Sequence, residues 1–333
     1  MVSEAALIDD MTTPTPEVVK AVRGLDGPIL LLGVSGKMGP TLAELLVRAG
    51  AQQVIGVARF TDVEKRRYLE DIGVQTLACD LLADEALQEL PDAPNVLFLA
   101  GFKFGATGHE DATWAMNAAL PGAVMARYAQ SRIVYVSSGN VYAYAKAPGP
   151  GADEDGSLGP VGEYAQSRLG GERIAQYASR VRGTPLVIVR LFYATEPRYG
   201  IIRDLADKVW QQEPIDLTMG YVNQIWQSDA NAYLCRFFPL CHSPAAIINL
   251  TGPDTLSVRA LAEQLGAIMG KTPRFTGVEA PDALLGNSQR LCAEFGRPRV
   301  GLQPMLRTVA EWVMAGGPSL GKPTRYESRS GQF

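Results

Sequence analysis

Three side chains pose the chemical question. Ser138 ends the apolar run RIVYVSS (132–138), Tyr164 opens a helical stretch at 160–181, and Arg168 follows Tyr164 by one turn. A serine and a tyrosine around a carbonyl polarise it and pass a proton while a hydride moves to or from the same carbon. Residues at i and i+4 share a helix face, so Tyr164 and Arg168 project together. A free phenol titrates near ~10 and serves as an acid or base near neutrality only beside a positive charge, which Arg168 is expected to supply. The competing expectation turns Arg168 outward to a surface pair with Glu172. Ser137 is the weaker member of the serine pair.

A second constellation lies near the amino end. GVSGKMG (33–39) follows the apolar run PILLLGV (28–34) and opens a helical stretch at 37–50. Gly33, Gly36 and Gly39 permit a tight turn and close approach of backbone N–H groups to a pyrophosphate at the helix start; Ser35, Lys37 and Met38 complete the loop. In this setting the glycine pattern reads as a dinucleotide cradle. The next apolar run ends in Ala58 and Arg59, where a carboxylate would read an unphosphorylated ribose. A guanidinium there favours the 2′-phosphate of NADP over NAD, with Lys37 in support. Asp80 and Leu81 end the third run and are candidates for the adenine, with helix capping the alternative for Asp80.

The elements that must position these groups alternate. Strand-like runs at 28–34, 53–58, 74–80, 95–101, 132–138 and 184–192 are separated by helical stretches, including 111–130 and 160–181. Unbroken apolar runs at this spacing predict a Rossmann-type, doubly wound parallel α/β sheet covered on both faces. After about residue 193 the rhythm changes to helices at 200–212, 229–238 and 257–270 with a strand at 246–252, a smaller substrate-binding portion. The division expected is 1–27 as an N-terminal extension, 28–192 as the dinucleotide domain, 193–320 as the substrate portion interleaved with late sheet elements, and 321–333 as a tail. The first 15 and last 13 residues read as arms outside the core.

Composition narrows the classes. The 333 residues carry a formal net charge of −4 with no long run of one sign, which speaks against nucleic acid or an anionic membrane as the main partner. Cys79, Cys235, Cys241 and Cys292 are scattered and only two histidines occur, so neither a disulfide framework nor a metal site is expected. No basic, apolar leader and no run of roughly 20 apolar residues is visible, which reads as cytoplasmic.

Taken in order, GxxGxxG at 33–39, LAGFKFG at 99–105, Asn117, VYVSSGNVY at 134–142 and Tyr164 resemble the extended short-chain dehydrogenase/reductase family, the group of nucleotide-sugar epimerases and dehydratases. The resemblance runs nearly the whole chain. It implies that Ala100, Gly101, Lys103 and Asn117 lie along the cofactor, Lys103 near its phosphates. It also implies that Ser138 holds the substrate oxygen and that Tyr164 is the acid/base. The family has lysine where Arg168 stands, so Arg168 is expected to take over its charge and its contact with the nicotinamide ribose, a substitution that is not conservative. The family's substrate asparagine is replaced by Tyr193, and YVNQIWQSDA (221–230) lacks the arginine that would meet a diphosphate. A sugar or sugar acid without a nucleotide is therefore the favoured substrate. Arg198 and Arg203 are the candidate carboxylate clamp, with ordinary loop and helix charges the alternative, and Trp226 and Gln227 are the pocket walls, with core packing the alternative for Trp226. A nucleotide-sugar epimerase or dehydratase is the second expectation, and a catalytically silent NAD(P) sensor the third. A homodimer through 111–130 and 160–181 is expected from the resemblance and from their small residues.

Overall fold

A computed structural model describes residues 3–103, 105 and 107–331. Its central sheet has seven parallel strands: β1 (Ile29–Leu32), β2 (Val54–Ala58), β3 (Gln75–Ala78), β4 (Asn95–Phe98), β5 (Arg132–Ser138), β6 (Leu186–Leu191) and β7 (Ala246–Leu250). Their order is β7-β6-β5-β4-β1-β2-β3. β1 and β4 are neighbours, Leu32 pairing with Phe98 on one side and Val57 on the other. The chain reverses its direction of growth there, which opens a crevice at the carboxyl ends of these strands. Strands β1, β2 and β4 are buried throughout, as the unbroken apolar runs require.

The helices introduced in chain order are α1 (Glu4–Thr12), α2 (Pro16–Arg23), α3 (Gly39–Arg48), α4 (Val63–Asp71), α5 (110–127), α6 (Gly162–Arg182), α7 (Ile201–Gln211), α8 (Gln227–Arg236), α9 (Val258–Met269) and α10 (Leu302–Met314). α5 is not the single regular helix expected over 111–130. It widens into a π turn over Ala115–Ala119 and ends at Arg127. Pro121 has no N–H for the carbonyl of Asn117, four residues back, and the widened turn follows from that missing donor.

A second core joins α7, α9 and α10 through Leu205, Val209, Leu261, Leu265, Leu306 and Val309. These helices form a smaller portion with a core of its own.

The terminal arms depart from expectation, since both are packed on the fold. Leu7 and Met11 of α1 bury against Trp312 of α10, and Arg48 of α3 pairs with Asp9 at 2.9 Å. At the other end Thr324 donates to Asp204 Oδ2 through its amide at 2.8 Å and its hydroxyl at 2.6 Å. Tyr326 is buried, and Arg329 pairs with Asp282 and lies over the Tyr144 ring. The last described residues thus form a strap across the smaller portion. Among the described residues no helix is long and apolar enough to cross a membrane, no group of side chains could hold a metal ion, and the four cysteines are free.

Candidate active site

The glycine loop is shaped by contacts that exclude side chains. Gly33 has φ +92°, and a Cβ there would lie 2.7 Å from Ala100 N. A Cβ on Gly39, at the start of α3, would collide with Val34 O. Backbone is all that fits at this helix N-terminus, the setting in which amide N–H groups meet phosphate. The loop forms one wall of a cavity of about 300 Å³ that continues past β4, β5 and β6. The cradle fits the pyrophosphate of a nicotinamide dinucleotide.

At the far wall stand Ser138 and Tyr164, brought together by the end of β5 and the first turn of α6. Ser138 Oγ donates to Asn140 Oδ1 at 3.0 Å and accepts from Asn140 N at 3.2 Å. The neighbouring Ser137 is turned aside and donates to Glu172 Oε1 at 2.6 Å. Glu172 is fully buried and forms a fork with Arg190, Nη2 to Oε2 at 2.9 Å.

Arg168 follows neither expectation fully. It faces inward, so the surface pair with Glu172 does not form. Its Nη2 donates to Val136 O, and its Nη1 reaches Ala100 O at 3.4 Å and Asn117 Oδ1 at 3.5 Å. Its guanidinium lies 5.2 Å from the Tyr135 ring centroid. The fork therefore braces the carboxyl ends of β4 and β5 while one face lines the cavity. Burial pushes the Tyr135 phenol up to about 12, against the pull of this guanidinium. Gly101 is required beside it, since a Cβ would meet Nη1 at 2.7 Å. Asn117, set by the π turn, exchanges two bonds of 2.9 Å with the Phe102 backbone and donates to Ser167. It fixes the loop after β4 from behind rather than lining the cavity.

The lysines lie deeper than expected. Lys37 does not extend toward the end of β2. Its ammonium donates to Ala194 O at 2.7 Å and sits 4.1 Å from the Tyr199 ring centroid. Burial brings it down to about 7, opposed by the attraction of Glu196. Lys103 lies 5.7 Å from the Tyr164 ring centroid and 5.8 Å from that of Tyr193, on the reacting side of the cavity. Burial brings it down to about 8, with Asp204 pulling upward. Burial pushes the phenols of Tyr193 and Tyr199 upward, each reinforced by Tyr164. Lys322, from the strap, stands at the same cavity.

Several expected groups lie elsewhere. Arg198 is locked by Glu196 at 3.0 Å and Glu4 at 2.7 Å. Arg203 is held by Asp207 at 2.7 Å and by the carbonyl of Pro197 at 2.8 Å. Neither is a clamp at the cavity. Trp226 packs in the second core, and Gln227 donates to Thr41 Oγ1 at 3.0 Å, tying α8 to α3. Neither is a pocket wall. Arg59 is exposed at the end of β2 and Ser35 half-buried in the glycine loop. Asp80 Oδ1 accepts from Leu82 N at 3.1 Å, closing the turn after β3, and Leu81 packs beneath it. Met38, Gly36 and Tyr193 line the cavity, and Ala100 contributes the carbonyl held by Arg168. Asn140, Tyr199 and Lys322 were not foreseen. Asn140 lies within SSGNVY (137–142), and Tyr199 directly follows Arg198.

The comparisons with known proteins agree with this geometry. The family model described as "NAD dependent epimerase/dehydratase family" matches residues 29–213. No curated protein matches the sequence significantly. Among solved structures the chain resembles UDP-glucuronic acid 4-epimerase from Bacillus cereus in complex with NAD, at 18% identity and TM-score 0.72 over 86% of this chain and 96% of that one. It resembles a short-chain dehydrogenase/reductase superfamily protein from Agrobacterium tumefaciens with bound NAD, at 18% identity and TM-score 0.73 over 87% and 98%. A third is UDP-glucose 4-epimerase with UDP-glucose from Thermotoga maritima, at 16% identity and TM-score 0.71 over 87% and 99%. At these identities the likeness is one of fold.

Proposed function

The chain belongs to the NAD dependent epimerase/dehydratase family, and from that premise we propose that it is an NAD(P)-dependent oxidoreductase or epimerase acting on a sugar-like hydroxyl or ketone. The observation that carries the reading is the meeting of Ser138 and Tyr164 in one cavity with the glycine cradle. Bound along that cradle, a nicotinamide supplies or accepts the hydride. Ser138, held by the Asn140 amide N–H, turns its one hydroxyl proton from Asn140 Oδ1 to the substrate oxygen. In the oxidising direction Tyr164 acts as the phenolate and takes the hydroxyl proton as the carbinol C–H bond breaks, and in the reducing direction the phenol so formed returns it. Arg168 acts as a brace for the strand ends that carry these groups.

NADP is the favoured cofactor, because Arg59 and not a carboxylate stands at the end of β2. A substrate without a nucleotide is favoured because Tyr193 occupies the pocket where the family's asparagine is expected, and because Arg198 and Arg203 are engaged inside the protein. The test is Tyr164→Phe. Turnover should fall by a factor on the order of 10² to 10⁴, with cofactor affinity nearly unchanged. Turnover close to wild type removes Tyr164 from the mechanism, and cofactor binding without turnover on any sugar or sugar acid makes the protein a silent binder.

A further inference from the structure

The cavity has one sign of charge. Lys37, Lys103, Arg168 and Lys322 line it, and among the described lining residues there is no aspartate or glutamate. A cofactor pyrophosphate accounts for two negative charges, but it belongs at the glycine loop, where backbone amides of the α3 start receive it. The lysines do not converge there. Lys37 reaches Ala194 O and the Tyr199 ring, and Lys103 sits between the rings of Tyr164 and Tyr193. Both ammoniums lie on the side where the substrate's reacting carbon must meet Tyr164.

We infer that the substrate is a sugar acid, its carboxylate received by Lys103 beside the reacting carbon and its approach favoured by Lys37 and Lys322. This deepens the function proposed above and rests on it. Burial of an ammonium is costly, and Lys37 and Lys103 are both brought well below the ordinary lysine range by it. An anion received by Lys103 lowers that cost at Lys103. A carboxylate fits better than a phosphate dianion. Lys103 offers one charge, and burial keeps the flanking Tyr193 and Tyr199 phenols protonated, so they remain neutral donors. A single carboxylate between an ammonium and a phenol is matched in both charge and donor number. Lys322 is exposed on the strap, so it stands at the mouth and steers rather than binds.

The experiment uses the full-length protein loaded with NADP or NAD. D-Galacturonate, D-glucuronate, D-galactose, D-glucose, glucose 1-phosphate and UDP-glucose are titrated by calorimetry, and reduced nicotinamide is followed by absorbance. The uronates should bind and turn over at least about tenfold better than the neutral sugars. Lys103→Met should raise the uronate KM by about tenfold to a hundredfold, the worth of one charged hydrogen bond, and so narrow the preference for uronates over neutral sugars by about that factor. Lys103→Arg should recover most of the loss, which separates a charge contact from damage to the loop. Neutral sugars used as well as uronates, or an unchanged uronate KM in Lys103→Met, overturn the inference. Preference for glucose 1-phosphate or UDP-glucose overturns the carboxylate assignment. Uronate binding that depends on Lys103 without reduction of the nicotinamide upholds this inference and sinks the proposed activity, whereas cofactor binding with no sugar bound sinks both.

Discussion

Replacing Arg168 by methionine tests whether the guanidinium braces the sheet. The substitution keeps much of the aliphatic stem and removes the fork. The bond to Val136 O is charge-assisted, and losing it costs about 1.5–3 kcal/mol. The contacts to Ala100 O and Asn117 Oδ1, at 3.4 and 3.5 Å, are long, and together add less than about 1 kcal/mol. The contact over Tyr135 adds roughly 0.5–1 kcal/mol. Against these stands the desolvation of a buried cation whose Nε has no hydrogen-bond partner, which methionine relieves in part. The balance is a loss of about 1.5–3 kcal/mol. An unfolding entropy of about 2.1 cal/mol/K per residue over 333 residues gives roughly 0.7 kcal/mol/K, so Tm should drop by about 2–4 °C. Differential scanning fluorimetry with and without saturating NADP reads both halves of the question. A brace predicts the drop in the free protein and a nearly unchanged cofactor-induced rise. An unchanged Tm with a collapsed cofactor-induced rise would refute the brace and return Arg168 to direct cofactor contact.

Three further outcomes follow from the geometry. Arg59→Asp should weaken NADP binding and spare or improve NAD binding; equal loss for both removes Arg59 as the reader of the 2′-phosphate. Lys37 and Lys103, brought down to about 7 and about 8, are less protonated in the folded than in the unfolded chain from about pH 7 to 10. Stability should therefore rise with pH across that window as far as these groups decide it, and binding an anion near pH 8.5 (roughly mid-window) should take up protons. Calorimetry in two buffers of different ionisation enthalpy measures this, and no buffer dependence contradicts it. Finally, Ile174, Tyr177 and Val181 form an exposed apolar stripe on α6 beside Trp114 of α5, which points to a two-fold dimer through these helices; a monomer by light scattering at micromolar concentration refutes it.

The sequence exposed what local chain geometry determines. A strand that ends in glycines and runs into a helix can be recognised without knowing its neighbours, and so can Ser138 at the end of β5 and Tyr164 in the first turn of α6. Partners distant in sequence were not legible. Arg198 looked like an anion clamp because its letter reports a charge and not the carboxylates that neutralise it, one of which is Glu4, far away on α1. Arg203 failed for the same reason, bonded to backbone carbonyls near residue 318 as well as to Asp207. For Trp226 the alternative of core packing is the one the structure takes, whereas Gln227 ties α8 to α3 through Thr41, a partner far away in the sequence. The tail lacked periodicity and so read as an arm, although Thr324 and Tyr326 anchor it.

The sign of the cavity was hidden for a related reason. A formal charge of −4 over the chain says nothing about how charges sort around one site. Here they sort by chemistry. Just behind the lining, Glu172 is held by Arg190 and Ser137, Glu196 by Arg198, and Asp204 by Thr324. Arginine serves for two of these: Arg190 bonds Glu172 through Nε and Nη2, and Arg198 reaches both oxygens of Glu196 through Nε. Lysine is a compact point charge on a flexible stem and suits a ligand that comes and goes. The acids named here are thereby held inside the wall, and Lys37, Lys103 and Lys322 line the cavity. Cutting a pair behind the wall, as in Arg198→Met, would release Glu196 next to Lys37. That would raise the affinity of Lys37 for its proton while weakening its hold on an incoming anion.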